Sequence, residues 1–517
     1  MSETIKKFTH ENTEKALNKM VKQGVTVQVK ASLTQSAFLV GFALLLGAPN
    51  TVIGILAAIP FITQFLQMPS VILIEKYKNR RKLNFITQLG NRIGILLLAL
   101  IPFISTSEIG IILLIGIIAI QAIFQAVGSP AWNSWLRDLV PKDKLGSFFA
   151  RRMALMGIMG VITSIVGGVF IGEWTRNNPD NIALGYSAIF SIAFLAGMIA
   201  IYYTVTTPEP PMITDYEKLD GSTLMAKPFQ NENYKNLMWF SAIWSFSTGL
   251  AAPFFTVYLL VRLGVEFTIV AMLVALSQLT SVVFFRFWGR MVDRFSNKSM
   301  LRIAVPIFVF GTLLWTYTSI AEDYDLILPL LILIHILTGF STAGVNLASN
   351  NIGLKLSPRG QSSIYLAARA VVIAVTGTIA PIVAGVMGDY FAQYELSFSI
   401  NWIGPHGTLI VDTYRLIGLD FVFILSVLLG AYAFYRLAFV KEKGEVEDRI
   451  VIEAIWAETR RSVKTISAVD GLLNIFQVPI KATRRAVKRR RKKKKPEQET
   501  PVDRNYTNHV NESKGQK

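Results

Sequence analysis

The chain alternates long apolar runs with short polar connections. Crossing a hydrocarbon core of about 30 Å takes roughly 20 mostly apolar helical residues. On that measure the sequence predicts twelve spans, near 27–47, 51–74, 83–104, 108–128, 153–171, 183–203, 237–260, 267–287, 301–320, 326–348, 364–387 and 414–437. Ile111–Ile120 and Leu326–Leu333 are uninterrupted, whereas Thr34, Gln35 and Ser36 dilute the first span and His335 sits in the tenth. Thr204–Lys235 is polar and turn-rich, with Pro208-Glu209-Pro210-Pro211, and it separates six spans from six. The expected organisation is a 1–24 N-terminal segment, bundles at 25–203 and 236–437, a 204–235 linker and a 438–517 tail.

Composition agrees with this pattern. Of 517 residues, 52% are apolar and 17% charged, and the mean hydropathy is +0.44. A soluble domain carries about a quarter charged residues, so polar surface is scarce. Yet the net charge is +18, which requires the basic residues to be segregated from the apolar runs. A disordered chain, a disulfide scaffold (there is no cysteine) and an ordinary cytosolic enzyme are excluded. No apolar stretch before a small-residue cleavage site occurs in the first 30 residues, so the first span is expected to act as its own insertion signal.

The basic residues mark sides. Lys76, Lys78, Arg80, Arg81 and Lys82 follow the second span, and Arg137, Lys142, Lys144, Arg151 and Arg152 the fourth. Arg290, Arg294 and Lys298 follow the eighth, and Lys355 and Arg359 the tenth. The connections at Ala48–Asn50, Ser105–Ser107 and Ala321–Asp325 have none, with Arg176, Arg262 and Arg415 as isolated exceptions. By the positive-inside rule both termini and the linker are expected in the cytoplasm, and the membrane is expected to be the plasma membrane.

The halves repeat. At an offset of about 217 residues, Leu46-Gly47 falls on Leu263-Gly264, Asn133 on Asn350, Pro141 on Pro358, Arg152 on Arg369 and Gly160 on Gly377. One residue further, Glu75-Lys76 falls on Asp293-Arg294 and Arg80 on Lys298. Two same-orientation copies of six spans are the architecture of one class of transporter, in which a substrate site is expected between the halves.

With these features the chain resembles the major facilitator superfamily over about residues 25–437. The motif that carries the resemblance is the loop after the second span of each half, G-x-x-x-D-R-x-G-R-R/K in the family. Residues 289–298 match it well, Gly289, Asp293, Arg294 and Lys298 included, with Ser296 in place of a glycine. The first half is degenerate: Val71 stands for the leading glycine, Glu75 for the aspartate and Lys78 for the inner glycine, while Arg80 and Arg81 remain. The resemblance implies an all-α fold of twelve transmembrane helices in two parallel-repeat six-helix bundles. It also implies a secondary active or facilitative transporter working by alternating access, with these loop residues gating. Arg290, Arg294 and Lys298 can also be read as obeying the positive-inside rule without any gate.

On the expected cavity helices the polar or aromatic candidates for substrate contact are Thr34 and Gln35, Gln121 and Gln125, Trp244, Ser247 and Thr248, and His335 and Asn346. Gln121 and Gln125 share a helix face. No Asp or Glu falls well inside a span, which leaves His335 as a candidate proton switch or a packing residue. The same reading takes membrane-embedded cations to be missing and expects a neutral, amphipathic or sugar-like solute, or drug efflux. No P-loop or metal-ligand cluster is found, so no cofactor is expected. Residues 449–479 read as an amphipathic helix, and eleven of the fifteen residues in Lys481–Lys495 are basic. That tail is expected to meet anionic lipid headgroups rather than nucleic acid. A membrane sensor or scaffold acting through the tail is the alternative to a transporter.

Overall fold

The computed structural model describes residues 10–442, apart from 78, 105–107, 142–143, 211–226, 319–325, 359–360 and 405–406, together with residue 453. The amphipathic and basic tail expected at 449–479 and 481–495 therefore lies outside the described residues. Among the described residues ten helices are long and apolar enough to cross a membrane. The remaining two spans are segmented helices. The first runs as His10–Thr34 and Ser36–Leu45; the second as Asn50–Ile62, a tight turn at Thr63–Leu66, and Gln67–Tyr77.

Spans three to six are Arg80–Ile104, Glu108–Leu139, Leu145–Asn177 and Ile182–Val205. The seventh begins as Glu232–Ala251 and continues through irregular turns to Arg262. Spans eight to twelve are Phe267–Arg294, Asn297–Trp315, Ile327–Lys355, Ser362–Phe391 and Leu419–Leu437. The first helix starts well before the apolar run. Its Ala16, Leu17, Met20 and Val21 pack on Trp135, Leu136, Leu139, Val140 and Phe148, so part of the 1–24 segment is docked helix.

The twelfth span starts at Leu419, not 414. Glu395–Gly404 and Gly407–Ile417 form an antiparallel hairpin between the last two spans. An arrangement of helices alone leaves no strand here, so the hairpin is an addition to it.

The repeat is visible in the packing. In the first half the first span packs on the fifth and sixth, and the third on the fourth and sixth; in the second half the seventh packs on the eleventh and twelfth, and the ninth on the tenth and twelfth. Gly47 and Gly264, matched by the 217-residue offset, both adopt positive φ (81° and 59°) in the loop after the first span of their half. A Cβ is disfavoured in that conformation. The helix breaks also correspond: Gln35 in the first span falls on Ala252, where the regular helix of the seventh ends.

The cores show how the halves meet. On the face that bears the hairpin, one apolar cluster draws on both halves, including Phe38, Phe42 and Phe190 with Phe254, Phe267 and Phe423. On the opposite face, which bears the linker, each half has a core of its own. Phe38 and Phe267 meet edge to face at 5.3 Å across the divide, a favoured aromatic geometry.

Candidate functional site

A cavity of about 630 Å³ opens among the first, second and fourth spans, closed on one side by Ala252, Pro253 and Thr256 of the seventh. One wall is polar: Thr34, Gln35, Ser36, Gln64, Gln67, Asn91, Gln121 and Gln125. The other is aliphatic, with Leu39, Val40, Ile53, Leu56, Ile118 and Ala122. Such a mixture holds a small solute and orients it.

The break in the first span belongs to this wall. Ser36 has φ of 52°, the one non-glycine in the left-handed region among the described residues. Gln35 precedes it in an extended conformation and makes no side-chain cap to the helix that restarts. Strain of this kind persists only where the surroundings impose it.

Gln35, Gln121 and Gln125 are thus brought together, as is Thr34. Gln121 is buried, and its Nε2 has no partner. Asn91 Nδ2 donates to the Gln121 carbonyl at 3.2 Å, joining the third and fourth spans.

The other candidates lie elsewhere. The hydroxyl of Ser247 donates to the Ser426 carbonyl at 2.8 Å and Ser426 donates back to the Ser247 carbonyl, binding the seventh span to the twelfth. Thr248 bonds its own helix at the Trp244 carbonyl, and Trp244 packs against Phe240 and Phe308. His335 Nδ1 donates to the Leu331 carbonyl at 2.8 Å, and its ring lies edge-on to Trp315. Asn346 is exposed. None of these lines the cavity.

Membrane-embedded cations are present: Arg92 is the middle residue of Arg80–Ile104 and 3% exposed, and Lys30 is 7% exposed on the cavity wall. A neutral solute, expected on the premise that such cations are missing, is left without that support. Arg92 was hidden by its amphipathic span, and Lys30 by its place near the expected start of the first.

The motif loops have a different geometry from the cavity. Arg80 is fully buried and donates to Asp138 at 2.6 Å, Glu209 at 3.2 Å and the Pro210 carbonyl at 2.7 Å. Glu209 also accepts the backbone N–H groups of Arg80 and Arg81, capping the third span. The second half repeats this. Glu442, just after the twelfth span, accepts from the Lys298 N–H at 2.7 Å and from Asn297 at 2.8 Å, and pairs with Lys355 at 2.8 Å. A carboxylate at a helix N-terminus is favoured by the exposed N–H groups and the dipole. Arg81 is exposed, Arg294 lies over the Phe295 ring, and Gly289 has open space around its Cα. The side chains of Glu75 and Asp293 lie outside the described residues.

Sequence reasoning missed Glu209 and Glu442 because each follows its last span in what reads as loop. It also missed Asp389, which accepts from Asn50 and Thr51 across the two halves. The second and eleventh spans are in close backbone contact there: a Cβ on Gly54 would strike the Pro381 carbonyl, and one on Gly385 would meet the Asn50 carbonyl. The fifth and eighth spans form the matching contact, with Arg176 and Glu266 paired at 3.2 Å and Thr268 donating to the Gly168 carbonyl.

The sequence matches the Major Facilitator Superfamily over residues 26–381 and 238–469. Solved structures share the fold. A nucleoside transporter, NupG, is 14% identical with a TM-score of 0.59, covering 84% of this chain and 100% of its own. The xylose transporter XylE from E. coli, inward open, is 14% identical with a TM-score of 0.57 over 84% and 98%. An inward-facing, unoccupied bacterial homolog of the human lysosomal transporter Spinster is 14% identical with a TM-score of 0.58 over 83% and 98%. Among curated proteins none matches the sequence.

Proposed function

The chain belongs to the major facilitator superfamily of integral membrane transporters, and from that premise we propose that the 630 Å³ cavity is its substrate site in an alternating-access cycle. The observation that carries this reading is the unequal joining of the halves: one shared core on the hairpin face, separate cores on the linker face. A site reached from one face while the other is clamped is one of the two arrangements such a cycle needs. Gln35, Gln121 and Gln125 contact the small-molecule substrate; an amide left unpaired in an apolar bundle costs a few kcal/mol, which a bound solute offsets.

The linker face is assigned to the cytoplasm, supported by the basic connections after the second, fourth, eighth and tenth spans, and the membrane is taken to be the plasma membrane. Lys481–Lys495 then meets anionic lipid of the inner leaflet, at about 1 kcal/mol per charge near the surface. The Arg80–Glu209 and Lys298–Glu442 contacts brace each half as a rigid body, so the motif loops serve the gate by holding helix ends within a half.

The test is solute flux. Hits from a thermal-shift screen of purified protein should accumulate in proteoliposomes carrying the wild type and not in those carrying Gln121→Leu/Gln125→Leu. Equal accumulation by both would remove the cavity from the account.

A further inference from the structure

Lys30 and Arg92 are both more than nine-tenths buried, and neither has a carboxylate partner among the described residues. Both belong to the same wall: Lys30 lines the cavity, and Arg92 bonds Asn91, which lines it too. Arg92 Nη1 donates to Asn91 Oδ1 at 3.3 Å, while its Nε has no partner. No Asp or Glu occurs among the described residues lining the cavity. Buried charges in proteins are ordinarily paired, because removing a charge from water is costly. Here, among the described residues, two cations serve one cavity wall and neither is matched by a carboxylate.

A second observation points to the same spot. Six residues after Lys30 the first span breaks and restarts at Ser36, and the ten-residue helix Ser36–Leu45 begins there without a side-chain cap. Gln35 and Ser36 line the cavity beside Lys30. The restarting helix offers its first backbone N–H groups at the break, beside the carbonyl end of His10–Thr34, and such N–H groups can bond an anion. The remaining polar lining supplies amides that donate as well as accept, and the aliphatic wall accommodates an apolar body.

We infer that the transported solute is a small organic anion, whose carboxylate or phosphate sits between the Lys30 ammonium and the helix start at Ser36. This rests on the reading of the cavity as the substrate site. Lys30 contacts the anion directly. Arg92, which does not line the cavity, acts through Asn91 and through its field as a positioning residue.

The chain has no cysteine, so a single Ala122→Cys thiol on the aliphatic wall reports the cavity alone and leaves its polar lining intact. It is labelled with the anionic 2-sulfonatoethyl methanethiosulfonate and with the cationic 2-(trimethylammonio)ethyl analogue, each rate being normalised to a free thiol. The anionic reagent is expected to be favoured by at least about tenfold. Lys30→Met should abolish most of that preference, Lys30→Arg should keep it, and Arg92→Met should reduce it. Benzoate or phenyl phosphate should protect the thiol with Lys30 present and fail to protect it in Lys30→Met, while benzamide should not protect at all. Variants are compared as monodisperse protein, and Lys30→Arg secures the test should Lys30→Met not fold. A labelling preference indifferent to Lys30, protection by benzamide equal to that by the anions, or no protection by either anion would overturn the inference.

Proteoliposome flux separates the two readings. Flux of an uncharged solute that Lys30→Met leaves intact would end the anion assignment and keep the transporter. Anion protection without flux of any solute would do the reverse.

Discussion

The carboxylate of Asp389 on the eleventh span accepts the backbone N–H groups of Asn50 and Thr51, both at 2.8 Å, and the Thr51 hydroxyl at 2.6 Å. An acid of one half therefore caps the second span of the other. Capping bonds of this kind are worth about 0.5–2 kcal/mol, and this one exists only while the hairpin-side ends of the halves are together. Asp389→Ala is expected to shift the population toward separation on that face. Pulsed-EPR distances between spin labels on the loops after the first and eleventh spans should lengthen; an unchanged distribution would show that the cap does not hold the face closed.

Gly54 gives a steric version of the same experiment. Its missing side chain lets the second span approach the Pro381 carbonyl, a backbone atom that cannot swing away. Gly54→Val should exclude the arrangement described here and open the hairpin face further than Asp389→Ala does. Labels reporting the same closed distance as wild type would contradict the contact.

Ser36 should respond to backbone chemistry. Its φ of 52° costs a side chain about 1–2 kcal/mol relative to the right-handed region. Ser36→Gly is expected to be neutral or to stabilise by up to about 1 kcal/mol, after glycine's greater unfolded-state entropy is counted. Ser36→Val should destabilise, because a β-branched residue tolerates that conformation poorly. Thermal unfolding in detergent reads both; Val equal to Gly would mean the helix is not broken at this position.

Arg80 is expected to matter for folding more than for binding. Its guanidinium is fully buried against Asp138 and Glu209, which keep 28% and 19% of their side chains exposed. Arg80→Ala should cost on the order of 2–3 kcal/mol, below the usual loss for a fully buried pair because water reaches both carboxylates. Adding Glu209→Gln should cost less than its effect alone, a coupling that a double-mutant cycle measures. Full additivity would place the two residues in separate roles.

Periodicity, charge placement and the 217-residue repeat made the two bundles legible, because apolar length and loop charge are properties of the chain itself. Features that depend on tertiary partners were less so. Asp389 reads as a span end, and only the approach of the second span turns it into a cap. The hairpin does leave a signal: Leu396, Phe398, Ile400 and Trp402 alternate with polar residues, the period of a strand, but the run lies beside a span and is too short to cross a membrane. Of the cavity residues, Gln35, Gln121 and Gln125 stood out as polar side chains in apolar helices. Ser247 and His335 stood out equally and proved to be bonded within the second half. Polarity in a span signals an inward-facing residue; it does not say which neighbour it meets.

The most direct test of the account is whether the closed face opens in response to solute. Distances across the hairpin-side ends, labelled on the loops following the first and eleventh spans, should be recorded in proteoliposomes with and without a solute that the same preparation transports. The account predicts that solute adds a longer-distance population at the hairpin face, with a matching shortening across the linker face. Measurable flux with both distance distributions unmoved would contradict alternating access between these two halves.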